Sequence, residues 1–416
     1  MSNPKTKDMN PIQIVKKELV DGFQQSKWLP LITAYAALSG IIGPGIHFPL
    51  FHMPFIAIGL YLALKKGSKW ETTAIMLLLY LPVNVMITQP AAVFNAWQRL
   101  ALFAAVYVFL SPLLRGKFIG NYRKKLLIGL LVICVLLGLG SLACYFLGIN
   151  YMPNQWDGSA ILDYHSSAGG FGGLLYQSIS LGMVCGLGML YLFYRALTRK
   201  KQDRKWFYMM IALLALTILI SSSRSALLSA IIGGLMMLYQ SNKKNGKFIQ
   251  VLMGLMLVLI LTFPFWDQYT SGLEAKRVSD TELGTYGTRT QKWTARMAEF
   301  SSSPLYGIGF ASVDEMLDVV GVGGAVEPGS SWLGILSMTG IIGFILFVII
   351  LIKPYQYLRS HPTPYNALLL GLFVFICTHM VSEGYIFAGG SSLCFIAWLI
   401  FGCCNDARYI KDRKIK

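Results

Sequence analysis

The 416-residue chain is too apolar for a soluble protein, since 55% of its residues are hydrophobic and only 13% are charged, against about 25% in ordinary soluble domains. Its apolar runs do not alternate with polar residues, which excludes a transmembrane β-barrel. The net charge of +17 would suit nucleic acid, but its distribution, given below, excludes that partner. The seven cysteines lie in apolar runs and lack the spacing of disulfide frameworks or zinc sites.

Apolar runs along the whole chain predict an all-α polytopic membrane protein of about twelve transmembrane helices. Runs of about 17–25 residues are long enough to cross ~30 Å of hydrocarbon as helices. In chain order, the predicted membrane helices lie near residues 28–45, 48–64, 72–88, 97–114, 126–147, 174–196, 206–222, 225–240, 248–266, 331–352, 366–382 and 386–403. Pro82 and Asn84 interrupt the third. The polar first 27 residues predict no cleavable signal peptide.

The positive charges separate onto one side of this arrangement. With the N-terminus in the cytoplasm, 29 of the 36 lysines and arginines fall in inside segments, as the positive-inside rule requires. The other seven share the outer face with 12 of the 19 acidic residues, so that face is net −5. Both termini are therefore predicted to be cytoplasmic, and nucleic-acid binding has no support.

The predicted helices divide the chain into five regions. These are a cytoplasmic N-terminal segment (1–27), helices 1–9 (28–266), an outer loop (267–330), helices 10–12 (331–403) and a cytoplasmic tail (404–416). The outer loop is 64 residues long, and loops longer than ~15 residues are usually functional, so we expect it to be catalytic. Residues 288–300 of this loop are predicted to form a helix, and the two halves of the chain show no internal repeat.

Arg224 follows three serines at the outer junction of the predicted seventh and eighth helices. A charge between two membrane helices is costly unless it faces protein or water, so its position indicates a functional site. The planar guanidinium binds phosphate oxygens in pairs, which favours a phosphate or pyrophosphate ligand. An arginine that only extends to the membrane surface is the structural alternative.

Arg289, Lys292, Trp293 and Arg296 form a second candidate site within the outer loop. Their spacing places them on one face of a helix. A cationic stripe beside a tryptophan is suited to an anionic lipid head group, with the indole packing on a sugar ring. A solvated helix face is the simpler alternative.

Glu327 stands just before the predicted tenth helix. Such a carboxylate is a candidate general base if partial burial raises its pKa. Alternatively, it stabilises the positive N-terminus of the helix by ~0.3–1 kcal/mol.

His379 and Glu383 lie one turn apart near the outer end of the predicted eleventh helix. They could pair with each other or with an arginine, in packing or in substrate binding. Arg99 and Arg277 are the further outer cations that we assign to substrate binding. The outer acids show no paired metal-ligand spacing and no glycine loop for nucleotides is found, so we expect neither a metal nor a cofactor.

Five segments together resemble the O-antigen polymerase and O-antigen ligase superfamily of bacterial envelopes. They are SRSALL (223–228), RTQKW (289–293), PLYGIGF (304–310), SWL (331–333) and TGIIG (339–343). The resemblance rests on their order, spacing and outer-face position, and it is best over residues 165–403.

The resemblance implies a GT-C type, metal-independent glycosyltransferase of the bacterial inner membrane, whose active site faces the periplasm. Its substrate would be an undecaprenyl-diphosphate-linked oligosaccharide, and its partners membrane lipid and a chain-length co-polymerase. By this resemblance Arg224 and Arg289 hold the pyrophosphate and stabilise its charge as it leaves. An acceptor hydroxyl then attacks the anomeric carbon with inversion.

One difference from the family favours a polymerase over a ligase. Ligases of this superfamily typically have His-Asn before an aromatic-Leu pair at the start of the corresponding helix. This chain has Gly329-Ser330 at those positions, and its nearest ionisable residue is Glu327. Glu327 is therefore the predicted acceptor-activating base. The alternatives are a ligase that transfers finished glycan to lipid A-core and, in another class, a transporter. The absence of a visible repeat and the outer position of the ionisable cluster argue against transport.

Overall fold

The computed structural model describes residues 28–44, 51–152, 171–199, 203–241, 287–317 and 326–409, with side chains of 287–290 left out. Helices make up 73% of the described residues, and their strand content is one two-stranded sheet. The predicted all-α class is therefore confirmed.

The described helices are numbered α1 to α12 in chain order. They are α1 (Trp28–Ser39), α2 (Met53–Lys65), α3 (Thr72–Thr88), α4 (Ala96–Leu110), α5 (Lys117–Phe146), α6 (Ser178–Thr198), α7 (Arg204–Ile220), α8 (Arg224–Ser241), α9 (Gly287–Ser302), α10 (Ser331–Ser360), α11 (Pro364–His379) and α12 (Ser392–Asp406). A 3₁₀ turn, Ala92–Phe94, precedes α4, and the strands are β1 (Lys69–Trp70) and β2 (Leu114–Arg115).

Helices occupy eleven of the twelve predicted membrane positions, while the run at 248–266 lies outside the described residues. Four helical stretches of the described chain are long and apolar enough to cross a membrane: Ala92–Leu110, α5, α6 and α10. Five further apolar helices, α1, α2, α3, α11 and α12, are shorter. The predicted helix in the outer loop is present as α9.

Some predicted helix ends are wrong, among them one each in α1, α4 and α12, because hydropathy detects apolar residues whatever their backbone conformation. α1 ends at Ser39 and the chain then turns, with Ile42 bridged to Leu175. α4 ends at Leu110 instead of 114, and Leu114 already belongs to β2. α12 begins at Ser392 instead of 386, so residues 386–391 form a non-helical segment, in which Ile386, Phe387 and Gly389 are buried by protein.

α10 is broken at Gly340, whose φ of 62° and ψ of −170° interrupt the helix. The break leaves backbone groups without helical partners, and the segment 304–309 supplies replacements. Ile308 N–H donates to the Ser337 carbonyl at 2.9 Å, and Gly309 N–H donates to that of Met338 at 3.1 Å. Non-helical backbone within an apolar bundle is tolerated where protein satisfies it in this way.

Asn84 fixes the same segment from α3. Its Nδ2 donates to the Tyr306 carbonyl at 2.6 Å, and its Oδ1 accepts from Phe310 N–H at 2.8 Å. Asn84 is fully buried, and α3 continues through it and through Pro82. The polar residue that interrupts the apolar pattern therefore positions the loop rather than ending the helix.

The core is centred on α12, whose Trp398 is fully buried. Aromatic rings from two other helices, α4 and α10, pack around it. The ring of Tyr107 lies 4.7 Å away, and those of Phe103 and Phe347 each lie 5.9 Å away. α12 therefore lies inside the bundle, packed against α1, α4, α5, α10 and α11.

The two ends of the bundle differ in their polar contacts. At the end that holds the C-terminus of α10, called the tail end, Gln240 Nε2 donates to the Leu358 carbonyl at 2.7 Å. Arg123 there forms a buried ion pair with Asp406 at 3.0 Å. The opposite end holds the N-terminus of α10 and is called the site end; α9 packs on α10 there.

α3 turns an apolar face away from the bundle. Met76, Leu79, Val83 and Met86 recur at spacings of three and four residues and are between 47% and 64% exposed. Such a stripe would be destabilising in water and is typical of a helix that faces lipid. The chain is a membrane protein.

Candidate functional site

The N-terminus of α10 anchors the site end. Ser330 is its N-cap, and its side chain accepts from Leu333 N–H. The Ser331 hydroxyl donates to the Glu383 carbonyl at 2.7 Å and accepts from Tyr385 N–H at 3.0 Å. These contacts fix the connection between α11 and α12 against the first turn of α10, so residues distant in sequence share one rigid surface.

Arg224 and Glu383 reach this surface from different helices. Arg224 begins α8 and is exposed, directly after a turn in which Ser222 has a φ of 55°. The next residue, Ser225, donates from Oγ to Glu383 Oε1 at 3.3 Å. Glu383 is only 6% exposed. The structure thus brings a predicted guanidinium and a predicted carboxylate to the same junction.

His379 is fully buried at the end of α11. Its Nδ1 lies 3.2 Å from Tyr385 Oη, and its ring stacks on Phe375 with 5.7 Å between centroids. This arrangement is that of a histidine packed within the core beside the site, which agrees with the packing alternative stated from the sequence.

α9 brings two of its predicted residues to the segment that enters α10. Lys292 Nζ lies 2.6 Å from Glu327 Oε2, and Trp293 Nε1 donates to the Gly329 carbonyl at 3.2 Å. Gly329 has a φ of 67°, and a Cβ there would press on the Lys292 side chain. The Glu327 side chain is 68% exposed, so the partial burial expected from the sequence is not found.

Arg296, the third α9 candidate, is fully buried and lies 2.9 Å from Glu299 Oε1. The same oxygen accepts from Asp314 N–H at 2.8 Å. A solvated helix face is therefore wrong for Arg296, which instead neutralises a buried carboxylate. Burial raises the pKa of Glu299, although the Asp314 hydrogen bond and the Arg296 charge both oppose this.

Glu299 was not among the residues that the sequence analysis assigned to the site. The available signal was its position three residues after Arg296 on a predicted helix, a spacing at which opposite charges pair. Its burial depends on the chain around Asp314, which the helical pattern does not reveal.

A cavity of about 270 Å³ opens at the N-terminus of α10. Its walls include Arg99 from α4, Ser331 and Ile335 from α10, and Tyr385. Arg99 is half-buried. A helix N-terminus carries roughly half a positive charge, so this end of α10 and the Arg99 guanidinium together favour an anionic group in the cavity.

Two predicted residues cannot be located in full. Arg277 lies outside the described residues, and for Arg289 only the backbone is described, in the first turn of α9 three residues before Lys292. Within the described ranges no three His, Cys, Asp or Glu residues form a group that could hold a metal ion. Metal independence stays a prediction.

Comparison with known proteins gives one family. Residues 209–348 match the model of a family described as O-Antigen ligase. No curated protein matches the chain. The matched region contains Arg224, α9 and Glu327, whereas Arg99, His379 and Glu383 lie outside it. Over residues 209–348 the chain is therefore similar to the O-antigen ligase family, which confirms the predicted resemblance to the O-antigen ligase and polymerase superfamily.

Proposed function

We propose that the chain is a glycosyltransferase that joins undecaprenyl-diphosphate-linked oligosaccharide repeat units at the outer leaflet of the bacterial inner membrane. The observation that carries this proposal is the gathering of Arg99, Arg224 and the Lys292–Glu327 pair at one end of an apolar bundle, around the N-terminus of α10. A lipid diphosphate needs an apolar surface for its chain and cations at the membrane boundary for its head group.

Twelve membrane crossings with both termini in the cytoplasm fit the positions of the described helix ends. α8 begins at the site end and finishes at the tail end, where Gln240 contacts Leu358. The next described helix, α9, packs on α10 at the site end. The predicted crossing between these two helices, at the apolar run 248–266, stays a proposal, and that run is long enough to cross a membrane as a helix.

Arg224 and Arg289 are proposed to bind the diphosphate. Arg224 is exposed at the site end, where its planar fork can donate two parallel hydrogen bonds to phosphate oxygens. Arg99, in the cavity wall, is proposed to extend this positive surface, and Arg277, Lys292 and Trp293 are the other proposed contacts to the substrate. The buried Arg296, His379 and Glu383 are proposed to support the site from within the protein. Cations fixed before the reaction stabilise the negative charge that the leaving diphosphate gains.

Glu327 is proposed to activate the acceptor. Its carboxylate takes the proton of an acceptor hydroxyl as the oxygen forms a bond to the anomeric carbon. The bond from that carbon to the diphosphate oxygen breaks, and lipid diphosphate leaves with the electron pair. Lys292 holds the carboxylate at 2.6 Å, and the exposure of Glu327 leaves its other oxygen open to an acceptor. A chain-length co-polymerase is the proposed protein partner.

The test is to incubate the purified full-length chain with synthetic lipid-linked repeat units and separate the products on a gel. A ladder of products differing by one repeat is expected. The second candidate function, a ligase, is favoured by the printed description of the matched family. A chain that transfers glycan to lipid A-core but forms no ladder would assign the ligase activity and contradict the polymerase.

A further inference from the structure

A second groove lies at the site end beside the cavity, between the end of α3 and the start of α4. Its volume is about 780 Å³, within the roughly 300–1,000 Å³ typical of small-molecule sites. Its polar walls come from Gln89, Asn95 and Gln98, and Trp97 supplies an aromatic surface. No charged side chain lines it, in contrast to the cation-rich surface around Arg224.

The polar groups of this groove are available to a ligand. Gln89, Asn95 and Gln98 are exposed, and their side-chain amides make no hydrogen bond within the part of the chain that the structure describes. Gln89 and Asn95 have φ values of 44° and 48°, a left-handed conformation that costs free energy in residues other than glycine. Each amide offers both donors and an acceptor.

Trp97 is 54% exposed in the same groove. An indole beside several amides matches the chemistry of an uncharged sugar, whose ring presents an apolar face of C–H groups and a rim of hydroxyls. The groove and the cavity open from adjacent positions of α4, because Gln98 lines the groove and the following residue, Arg99, lines the cavity.

We propose that this groove binds uncharged sugar residues of the oligosaccharide, away from the diphosphate. The inference rests on the proposed function for the identity of the glycan. In this arrangement the cations hold the diphosphate end of a substrate, whereas Trp97 and the three amides hold sugars at a distance from the reacting bond.

The probe is the repeat-unit oligosaccharide freed from its lipid diphosphate by mild acid, titrated into the full-length chain in lipid nanodiscs. Binding to the parent chain is expected, and Trp97→Ala should weaken it about tenfold, equivalent to about 1.4 kcal/mol. Gln98→Ala, which keeps the indole, should weaken it about fivefold through one lost hydrogen bond. Trp70→Ala is the matched control, because Trp70 is 48% exposed but lies in β1 at the tail end.

Equal binding by the parent, Trp97→Ala and Trp70→Ala would overturn the proposal, as would absence of binding to the parent. A Trp97→Ala variant that only loses thermal stability would instead assign Trp97 to the membrane interface. If the chain forms the product ladder but does not bind the freed oligosaccharide, the sugar-binding groove is contradicted and the proposed function stands. If the chain binds the oligosaccharide through Trp97 but forms no ladder, the groove stands and the proposed function is contradicted.

Discussion

The Lys292 ammonium lies 2.6 Å from the Glu327 carboxylate, joining α9 to the segment that enters α10. This pair holds the proposed base at the site end while leaving it mostly exposed. Glu327→Gln keeps the shape of the side chain but removes its ability to take a proton, so chain lengthening should fall at least about 100-fold. The measurement is the initial rate of ladder formation by purified protein.

Glu315→Gln is the control for this substitution, because Glu315 is also an exposed carboxylate of the outer loop and should keep the parent rate. Full activity of Glu327→Gln would remove the base assignment. If Glu383→Gln were then inactive, the base would be assigned to Glu383, the buried carboxylate beside Ser225.

The buried pair of Arg296 and Glu299 predicts a large effect on stability. Arg296→Met leaves the Glu299 carboxylate buried without its cation, and the free energy of unfolding should fall by about 3–5 kcal/mol. The double variant Arg296→Met, Glu299→Leu should recover most of this loss, because no buried charge remains. Denaturant unfolding in detergent measures both.

Lys292→Met is the matched single variant on the same helix. Its partner is largely exposed, so the change should be within ~1 kcal/mol. An equal effect of Arg296→Met and Lys292→Met would contradict the account of α9.

The pH dependence of stability should report Glu299. Burial raises its pKa in the folded chain above the ordinary 4.5, so the folded state holds this proton at a higher pH than the unfolded state does. Its contribution is fully present below that ordinary value and is lost as the pH rises through the folded pKa. Glu299→Gln should therefore gain stability relative to the parent as the pH is raised. A loss of stability of Glu299→Gln relative to the parent as the pH is raised would contradict the raised pKa of Glu299.

The break in α10 requires glycine at position 340. Its φ and ψ lie in a region that is essentially restricted to glycine, and a Cβ would press on the backbone of Leu305. Gly340→Ala should lower the free energy of unfolding by at least about 1–3 kcal/mol. Gly234→Ala, in α8, would bring the new Cβ only into ordinary van der Waals contact, 3.9 Å from Leu190 Cδ2, and should be neutral or stabilising by up to about 1 kcal/mol. Similar unfolding midpoints for the two variants would contradict the break.

The positions of most helices follow from the sequence, because each apolar run carries its own signal. The break at Gly340 does not, since residues 331–352 read as one apolar helix. It depends on a partner, the segment 304–309, whose backbone replaces the lost helical hydrogen bonds. The motifs PLYGIGF and TGIIG, which carried the family resemblance, therefore meet at this break.

The candidate site was predictable only in part, because the sequence shows helical spacing but not which side chains become buried. Helical spacing placed Lys292, Trp293 and Arg296 on one face, but burial separated their roles. Lys292 and Trp293 contact the segment that enters α10, while Arg296 is buried with Glu299. Likewise, the contact between Ser225 and Glu383 joins residues 158 positions apart, which no local pattern indicates.

The most direct test of the central claim is the rate of ladder formation by Arg224→Ala on lipid-linked repeats, beside Lys66→Ala, which removes an exposed cation at the tail end. Loss of a preorganised cation from the departing diphosphate should lower the rate by about 100- to 1,000-fold. Lys66→Ala should match the parent. Arg224→Ala that forms the ladder at the parent rate would contradict a diphosphate held at the site end by Arg224.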